Sequence, residues 1–256
     1  MSIWSQNFQL KPIPYGATER RERRAEFKAA VQALIEADIF FVDDIKLEIT
    51  IFLDQQETYE TDKNADLDNY AKMIIDCLKG VNGIIVDDTQ IQSLHISWID
   101  TVQEPSFAIE AVTFLPDTTF SKNFKLYEMP DKLWYPIRHD LTVEKGDESY
   151  QFHMGLILAS NDIGCRVQIR QTARRKKISK FEAYRISGMM TGYLRGFHKS
   201  RIIDSGFELV DHSTWKAELD QWKFNVISND EKVLEGISMI EEMYTSRAKM
   251  LDSLPG

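Results

Sequence analysis

The stretch from residue 64 to residue 94 reads NADLDNYAKMIIDCLKGVNGIIVDDTQIQSL, and it predicts both a local fold and a site. After Asp66, apolar residues recur at steps of four, three and four, which is the spacing of a helix with one buried stripe. The members of this stripe are Leu67, Ala71, Ile74 and Leu78. Glycines at 80 and 83 end the helix. Residues 84–86 then predict a short buried strand that carries Asp87 and Asp88 at its tip.

The aspartates of this stretch form a candidate metal site. Asp66 and Asp68 are two residues apart at the helix start, where the chain is extended enough for both carboxylates to face one way. Either Asp87 or Asp88 would add a third carboxylate. Such groups repel one another unless a cation lies between them. Hard oxygen ligands favour Mg²⁺, with Mn²⁺ as an alternative, over zinc. Lys72, one turn after Asp68, is placed to hold a phosphate group.

A structural interpretation of the same aspartates is also open. Asp68 could cap the helix, since aspartate is a common N-cap residue, while Asp87 and Asp88 could solvate a turn. The pair of aspartates at the helix start is a weak signal by itself. Its combination with Lys72 and a later Asp-Asp pair is more specific and favours the metal site.

Around this stretch, the first half of the chain predicts a sheet with two helices. Alternating or β-favouring runs predict strands at residues 8–14, 43–53, 91–99 and 107–114. A helix is predicted at residues 19–37, with Thr18 as its N-cap. Residues 54–64 are polar without apolar periodicity, so we expect a loop there.

The second half predicts a separate domain of mixed composition. We expect a first domain at residues 1–116, a polar linker at 117–130 and a C-terminal domain at 131–256. In the last of these, we predict a hairpin at 141–152, a strand near 166–170, a helix after Ser179 and a long helix at about 230–251. The fold class is therefore α+β: an N-terminal mixed sheet with two helices, then a C-terminal α+β domain ending in a long helix.

Charge is distributed unevenly along the chain. The whole chain has a formal net charge of −9, yet residues 166–201 hold eleven basic residues and one acidic residue. Such asymmetry is expected of a phosphate-binding face on an otherwise acidic protein. The candidate phosphate contacts on this basic face are Arg174, Arg175, Lys176, Lys177 and Lys180.

Composition indicates a globular protein of the cytoplasm. Hydrophobic residues make up 43% and charged residues 28% of the chain, which is enough to bury a core. No apolar run reaches the roughly 20 residues that span a bilayer, so no membrane partner is expected. The start lacks the pattern of a signal peptide. Cys77 and Cys165 are not at zinc spacing, and they predict buried thiols in a reducing compartment.

The central stretch also resembles a known family. Its pattern of Asp66-Leu67-Asp68-Asn69-x-x-Lys72, followed by Asp76, Leu78, Gly83 and Asp87-Asp88-x-Gln90-Ile91, resembles the core motif of the RusA family of Holliday junction resolvases. The resemblance extends to Lys11-Pro12-x-Pro14 and covers about residues 8–115. It implies a RusA-like fold for this part, a homodimer, Mg²⁺ dependence and cleavage of four-way DNA junctions by paired nicks. It also implies essential roles for Asp66, Asp68, Asp88 and Lys72, with Asp87 as the alternative third ligand. With the resemblance, Lys11 and the basic face become candidate DNA contacts.

These observations predict a metal-dependent endonuclease that acts on branched DNA in recombination, repair or phage DNA processing. Two alternatives stay open. One is a catalytically silent RusA-like module for DNA binding or assembly, and the other is a nuclease for a different nucleic-acid structure. The resemblance leaves residues 117–256 without a counterpart in the minimal family member, and their role is open.

Overall fold

The computed structural model describes the chain except residues 1, 17–20, 62–64, 115–118, 121, 123, 139–147, 180, 183–194, 228–230 and 253–256; it also leaves the side chains at 138, 148–151, 226–227, 231–233 and 247–252 undescribed. The chain forms two compact units. The first comprises Met1–Lys122 with Ser200–Phe207, and the second comprises Asn123–Lys199 with Glu208–Gly256.

A four-stranded mixed sheet forms the framework of the first unit. Its strands are β1 (Ile3–Phe8), β3 (Ile45–Asp54), β4 (Ile91–Thr101) and β5 (Ser106–Thr113), in the order β1-β5-β3-β4. β3 runs parallel to β4 and antiparallel to β5, so Ile49 lies opposite Ile96 on one side and Ile109 on the other. Alternate residues of β3 are buried, as its sequence pattern predicts. A short pair, β2 (Phe40–Phe41) with β6 (Thr119–Phe120), completes the strands of this unit.

Two helices cover the buried face of this sheet. α1 (Arg21–Leu34) buries Phe27 and Val31. α3 (Leu67–Leu78) buries Ala71, Ile74 and Leu78 of its predicted stripe, and Leu67 is partly buried against the same core. Both helices contribute to one core with the inward residues of β3 and β5. The predicted mixed sheet with two helices is confirmed. Thr18, the predicted cap of the first helix, lies outside the described residues.

Two local predictions in this unit were wrong. The first strand is Ile3–Phe8 rather than residues 8–14, because the prolines at 12 and 14 exclude regular pairing after Phe8. Residues 54–64 are not all loop, since α2 (Gln55–Glu60) begins at Asp54, whose side chain accepts a hydrogen bond from the Glu57 N–H at 2.7 Å. An aspartate followed three residues later by glutamate is a helix-start signal that the polar composition obscured.

The second unit combines a small sheet with long helices. Its sheet is β8 (Trp134–Arg138), β7 (Phe124–Glu128) and β9 (Leu209–Val210), with β7 central. Its helices include α4 (Glu148–Arg175), α6 (His212–Ile227) and α7 (Glu231–Asp252). Their shared core contains Tyr135, Ile163 and Trp215. The predicted C-terminal α+β fold with a long final helix is confirmed.

α4 corrects two predictions of β structure. The described part of the predicted hairpin, residues 148–152, is helical, and so is the predicted strand near 166–170. Buried residues of α4 include Leu156, Ala159 and Ile163, at steps of three and four. The longer helical repeat therefore overrides the short alternation of Val167 and Ile169. The helix predicted after Ser179 falls largely on residues outside the described part.

A short segment from the second half of the sequence belongs to the first unit. α5 (Lys199–Ile202) leads into residues 203–207, which pack beside the end of α3. The Ser205 carbonyl accepts from the Val81 N–H at 2.9 Å, and the Phe207 ring meets Phe40 edge-on at 5.4 Å. Gly80, at φ +88°, allows this approach, because a Cβ there would lie 2.6 Å from the Ser205 oxygen.

The two cysteines, Cys77 and Cys165, are buried as the sequence predicts. Among the helices of the described ranges, none combines the length and the apolar character that crossing a membrane requires.

Candidate active site

The start of α3 presents two uncommitted carboxylates. Asp66 is the N-cap of this helix with extended backbone angles (φ −63°, ψ 150°), but its side chain makes no capping hydrogen bond. Asp68 lies in the first turn and is exposed. Neither carboxylate pairs with another side chain in the described part of the chain. The helix N-terminus favours negative charge at both positions. The capping interpretation of Asp68 is therefore not what the geometry shows.

A tight connection carries the chain from α3 to the Asp-Asp pair. Its Gly83 has to be glycine, since a Cβ there would lie 1.9 Å from the Leu78 carbonyl oxygen. The following residues, Ile84, Ile85 and Val86, are buried as expected. They form only isolated bridges rather than the predicted strand.

Gln90 fixes the end of this connection. Its side chain is fully buried, and Oε1 accepts from the backbone N–H groups of Val86 (2.7 Å) and Asp87 (3.1 Å). Its Nε2 donates to the carbonyls of Phe41 and Asp43, both at 2.9 Å. One amide thus satisfies four backbone groups, which ties the Asp-Asp turn to the segment before β3.

The two aspartates of the pair have different environments. Asp87 is buried and caps a single 3₁₀ turn (Asp88–Gln90), and its Oδ2 accepts from the Thr89 N–H (3.2 Å) and hydroxyl (2.6 Å). Asp88 is partly exposed, with Oδ2 at 3.1 Å from Lys79 Nζ and Oδ1 at 3.3 Å from Arg201 Nη1. Asp87 therefore serves the turn, while Asp88 faces outward between two cations.

Most of the predicted site residues line one acidic cleft. It has a volume of about 370 Å³, and its charged walls are Asp68, Lys72, Asp76 and Asp88. Apolar side chains from α3 and β4, among them Ile75, Ile91 and Leu94, form the rest. Asp66 is not part of this lining, although it lies two residues before Asp68. The described part of the chain contains no group of three or more histidine, cysteine or acidic side chains arranged to hold a metal ion.

Lys79 links two carboxylates of the cleft. Its Nζ lies 2.6 Å from Asp76 Oδ1 and 3.1 Å from Asp88 Oδ2. Burial lowers the pKa of Lys79, but the hydrogen bonds and negative charges of Asp76 and Asp88 outweigh it, so the pKa is raised above its ordinary value. Lys79 therefore stays charged and offsets the repulsion between the two aspartates.

Lys72 rests on an aromatic ring at the edge of the cleft. Its Nζ lies 3.9 Å from the centroid of the Tyr15 ring, and the Arg24 guanidinium carbon lies 4.6 Å from the same centroid. The Tyr15 backbone N–H donates to the Asn69 carbonyl at 2.9 Å, which anchors the ring beside the first turn of α3. A cation over a ring face is attracted by its quadrupole, so Tyr15 restrains the Lys72 ammonium.

Sequence reasoning missed four residues that organise this site. Asp76 was not among the predicted site residues, yet it lines the cleft. Lys79 and Arg201 hold Asp88, and Tyr15 holds Lys72. The spacing of three between Asp76 and Lys79 was a usable signal. Arg201 had no local signal, because it lies 113 positions from Asp88.

The candidate DNA contacts outside the cleft vary in their availability. Lys11 forms an ion pair with Glu57, with Nζ at 2.7 Å from Oε2. The C-terminal end of α4 and the turn after it present Arg174, Arg175 and Lys177 as exposed side chains and Lys176 as a half-buried one. Lys180 lies outside the described residues. A role in DNA binding stays a prediction for all of them.

An α+β domain with an acidic cleft beside a lysine is a form suited to metal-assisted chemistry on phosphate esters. Residues 15–110 match the family model described as Endodeoxyribonuclease RusA, so this part of the chain is a RusA family domain. The family supports nuclease activity in general. No family model matches the C-terminal region, and no curated protein matches the chain.

The different environments of the Asp-Asp pair lead to a test of the third ligand. Asp88→Asn is expected to lower DNA cleavage about a hundredfold or more, because a ligand charge in the cleft is lost. Asp87→Asn is expected to lower cleavage less than tenfold, because the amide oxygen can still accept from Thr89. Single-turnover cleavage rates of the two variants measure this difference. A larger loss in Asp87→Asn would assign the ligand to Asp87, and equal losses would mean that cleavage needs both carboxylates.

Proposed function

We propose that the chain is a metal-dependent endonuclease that cleaves four-way DNA junctions by paired nicks. The observation that carries this proposal is the acidic cleft, in which Asp68, Lys72 and Asp88 come together inside the segment that matches the endodeoxyribonuclease family. The three side chains come from the start of α3 and from the Asp-Asp turn, 16 to 20 positions apart in sequence. Their convergence is a tertiary property that capping or turn solvation does not require.

The donor set of the cleft fits Mg²⁺ or Mn²⁺. Asp68 and Asp88 supply carboxylate oxygens, Asp66 is adjacent in sequence with an uncommitted side chain, and no thiol or imidazole lines the described cleft. Mg²⁺ is usually held by one or two carboxylates, with water and substrate phosphates completing its shell. We therefore assign the metal to Asp68 and Asp88, with Asp66 at its margin. When bound, such a metal supplies a water of lowered pKa and neutralises charge on a phosphodiester oxygen.

The chain's own residues position the phosphodiester. Lys72, restrained over Tyr15, offers an ammonium to a non-bridging oxygen of the scissile phosphate, where negative charge grows in the transition state. Lys79 and Arg201 hold Asp88 in place through one oxygen each. A carboxylate oxygen has two lone-pair sites, so each Asp88 oxygen keeps one for a ligand.

Tyr15 gives this assignment a specific expected result. Tyr15→Leu removes the ring under Lys72 and is expected to lower the single-turnover cleavage rate about tenfold, in line with a cation–π contribution of about 1–2 kcal/mol. Tyr15→Phe keeps the ring face and is expected to stay within about twofold of the wild type. Equal activity of all three proteins would show that the ring does not position Lys72.

A homodimer is the form that paired nicking requires, since two strands must be cut symmetrically. β4 is an edge strand of the sheet, and it exposes Trp98 (43%) and Ile99 (49%). Exposed apolar side chains on an edge strand are a common feature of interaction surfaces.

We propose that the exposed Lys/Arg side chains at the end of α4 add phosphate contacts. We also propose that the enzyme acts in the cytoplasm, in recombination, repair or phage DNA processing.

The experiment that tests this function is a cleavage panel with the full chain. End-labelled four-way junction, forked DNA, linear duplex and single strand are incubated with Mg²⁺, and nick positions are mapped on each strand. We expect symmetric nicks in two opposing strands of the junction and little cleavage of duplex. Cleavage confined to another structure would identify a nuclease with a different substrate.

A silent DNA-binding module is the alternative with a specific observation in its favour. Asp88 is already neutralised by Lys79 and Arg201, and the described residues contain no three-ligand cluster. Titration calorimetry separates the two functions. If the chain is the endonuclease, titration with Mn²⁺ is expected to give a heat of binding that is lost in Asp68→Asn. If it is the silent module, it is expected to bind junction DNA, and titration with Mn²⁺ is expected to give the same result for the wild type and Asp68→Asn.

A further inference from the structure

We propose that a second, basic pocket beside the acidic cleft binds a backbone phosphate of the same DNA, next to the scissile one. This inference rests on the proposed function. The pocket has a volume of about 380 Å³ and lies at the end of α3, where Lys28, Lys79 and Arg201 line it. Arg201 lies outside the segment that matches the family model, so the pocket is completed by the segment Ser200–Phe207.

The three cations of the pocket retain donors for a ligand. Among the described residues, Lys28 makes no hydrogen bond or ion pair. Arg201 contacts Asp87 and Asp88 through Nη1 alone, at 3.7 and 3.3 Å, which leaves Nε and Nη2 for another partner. Lys79 uses two of its three N–H donors on Asp76 and Asp88. A planar guanidinium flanked by ammonium groups suits the tetrahedral oxygens of a phosphate.

The rest of the lining is compatible with an anion. Asn82 lines the pocket, and its backbone N–H has no acceptor within the described part of the chain. Two carboxylates also contribute, but Asp87 is committed to Thr89, and Asp204 is exposed to solvent. Three cations and two carboxylates line the pocket, while Asp76 and Asp88, which pair with Lys79 and Arg201, lie outside its lining.

The pocket is adjacent to the cleft because two of its cations, Lys79 and Arg201, bind carboxylates of the cleft. Lys79 lines the pocket while its ammonium binds two cleft carboxylates, and Asp87 of the pocket precedes Asp88 of the cleft. A DNA strand that places its scissile phosphate at Asp68 and Asp88 therefore passes the pocket with a neighbouring phosphate. Contacts of this kind fix the register of the backbone without reading sequence.

The salt dependence of DNA binding tests this assignment. Binding of a labelled junction is measured by fluorescence anisotropy, with EDTA present, for wild type, Lys28→Ala, Arg201→Ala and the double variant. One phosphate contact contributes about 0.9 to the slope of log K against log salt concentration. Because the pocket takes one phosphate, each single variant is expected to lower the slope by up to about 0.9, and the double variant by about 0.9 in total.

Lys46→Ala is the matched control for these variants. Lys46 alternates with the buried residues of β3 and points away from α1. The slope of this variant is expected to match that of the wild type.

The following results would decide whether the pocket binds a backbone phosphate of the DNA. An unchanged slope in the double variant, with paired nicking of the junction by the wild type, removes the pocket as a DNA contact and leaves the proposed function standing. A fall of about 1.8 in the double variant indicates two independent phosphates rather than one shared site. The expected slopes without any cleavage in Mg²⁺ or Mn²⁺ support the pocket while refuting the nuclease. Saturable binding of inorganic phosphate, followed by ³¹P NMR, together with unchanged DNA slopes would assign the pocket to a free phosphate instead of DNA.

Discussion

Replacing Asp68 with asparagine is expected to reduce junction cleavage about a thousandfold while DNA binding persists. The change keeps the shape of the side chain but removes the charge that we assign to the metal, and metal stabilisation of the transition state is worth several kcal/mol. The fold is expected to tolerate it, because Asp68 is exposed and makes no bond with another described side chain. Single-turnover cleavage in Mg²⁺ and junction affinity in EDTA measure the two effects.

Asp38→Asn is the matched control for this loss. Asp38 is exposed in the same unit and is not part of the acidic cleft. Both variants remove one negative charge, so both are expected to bind the junction slightly more tightly than the wild type at low salt. Only Asp68→Asn is expected to lose cleavage. Cleavage at the wild-type rate by Asp68→Asn would remove the central ligand from the proposal.

Gln90→Leu is expected to destabilise the protein by about 4 kcal/mol or more and to abolish cleavage with it. The substitution removes the hydrogen-bond partner of four backbone groups, which are buried at Phe41, Val86 and Asp87 and partly buried at Asp43. An unsatisfied buried polar group costs about 1–3 kcal/mol, and the relaxation of the turn offsets part of the sum. The free energy of unfolding from urea denaturation measures the effect.

Gln92→Leu is the control for Gln90→Leu. Gln92 lies two residues further along and is exposed, and its side chain makes one long hydrogen bond, 3.5 Å to the Thr89 carbonyl. We expect a change below about 0.5 kcal/mol, as is usual for surface positions. If Gln90→Leu were as stable as Gln92→Leu, the buried amide would not be what holds the Asp-Asp turn.

The local parts of the fold were predictable because their patterns are long and unambiguous. The alternation in β3 and the apolar stripe of α3 each extend over most of an element, so burial on one face follows directly. α4 was not predictable in the same way. Five residues around Val167 and Ile169 alternate like a strand, and only the buried steps over its full length reveal a helix.

The candidate site likewise has a part that the local sequence predicts and a part that it does not. Asp66, Asp68, Lys72 and Asp88 were predicted from a motif in which the residues lie within one turn or at a strand end. The residues that organise them act across the fold instead. Gln90 binds carbonyls 47 and 49 positions away, and Arg201 reaches Asp88 from the far half of the chain. Periodicity and spacing carry no information about such contacts, because nothing local fixes which distant group is approached.

The metal dependence of junction cleavage by the wild-type chain tests the central claim most directly. Protein freed of divalent ions with EDTA is mixed with a four-way junction, and nicking is followed before and after Mg²⁺ is added in excess. We predict no nicking before the addition and paired nicks after it, with Mn²⁺ able to replace Mg²⁺. Nicking that proceeds in EDTA, or a folded protein that binds the junction and leaves it intact in both metals, would contradict the claim.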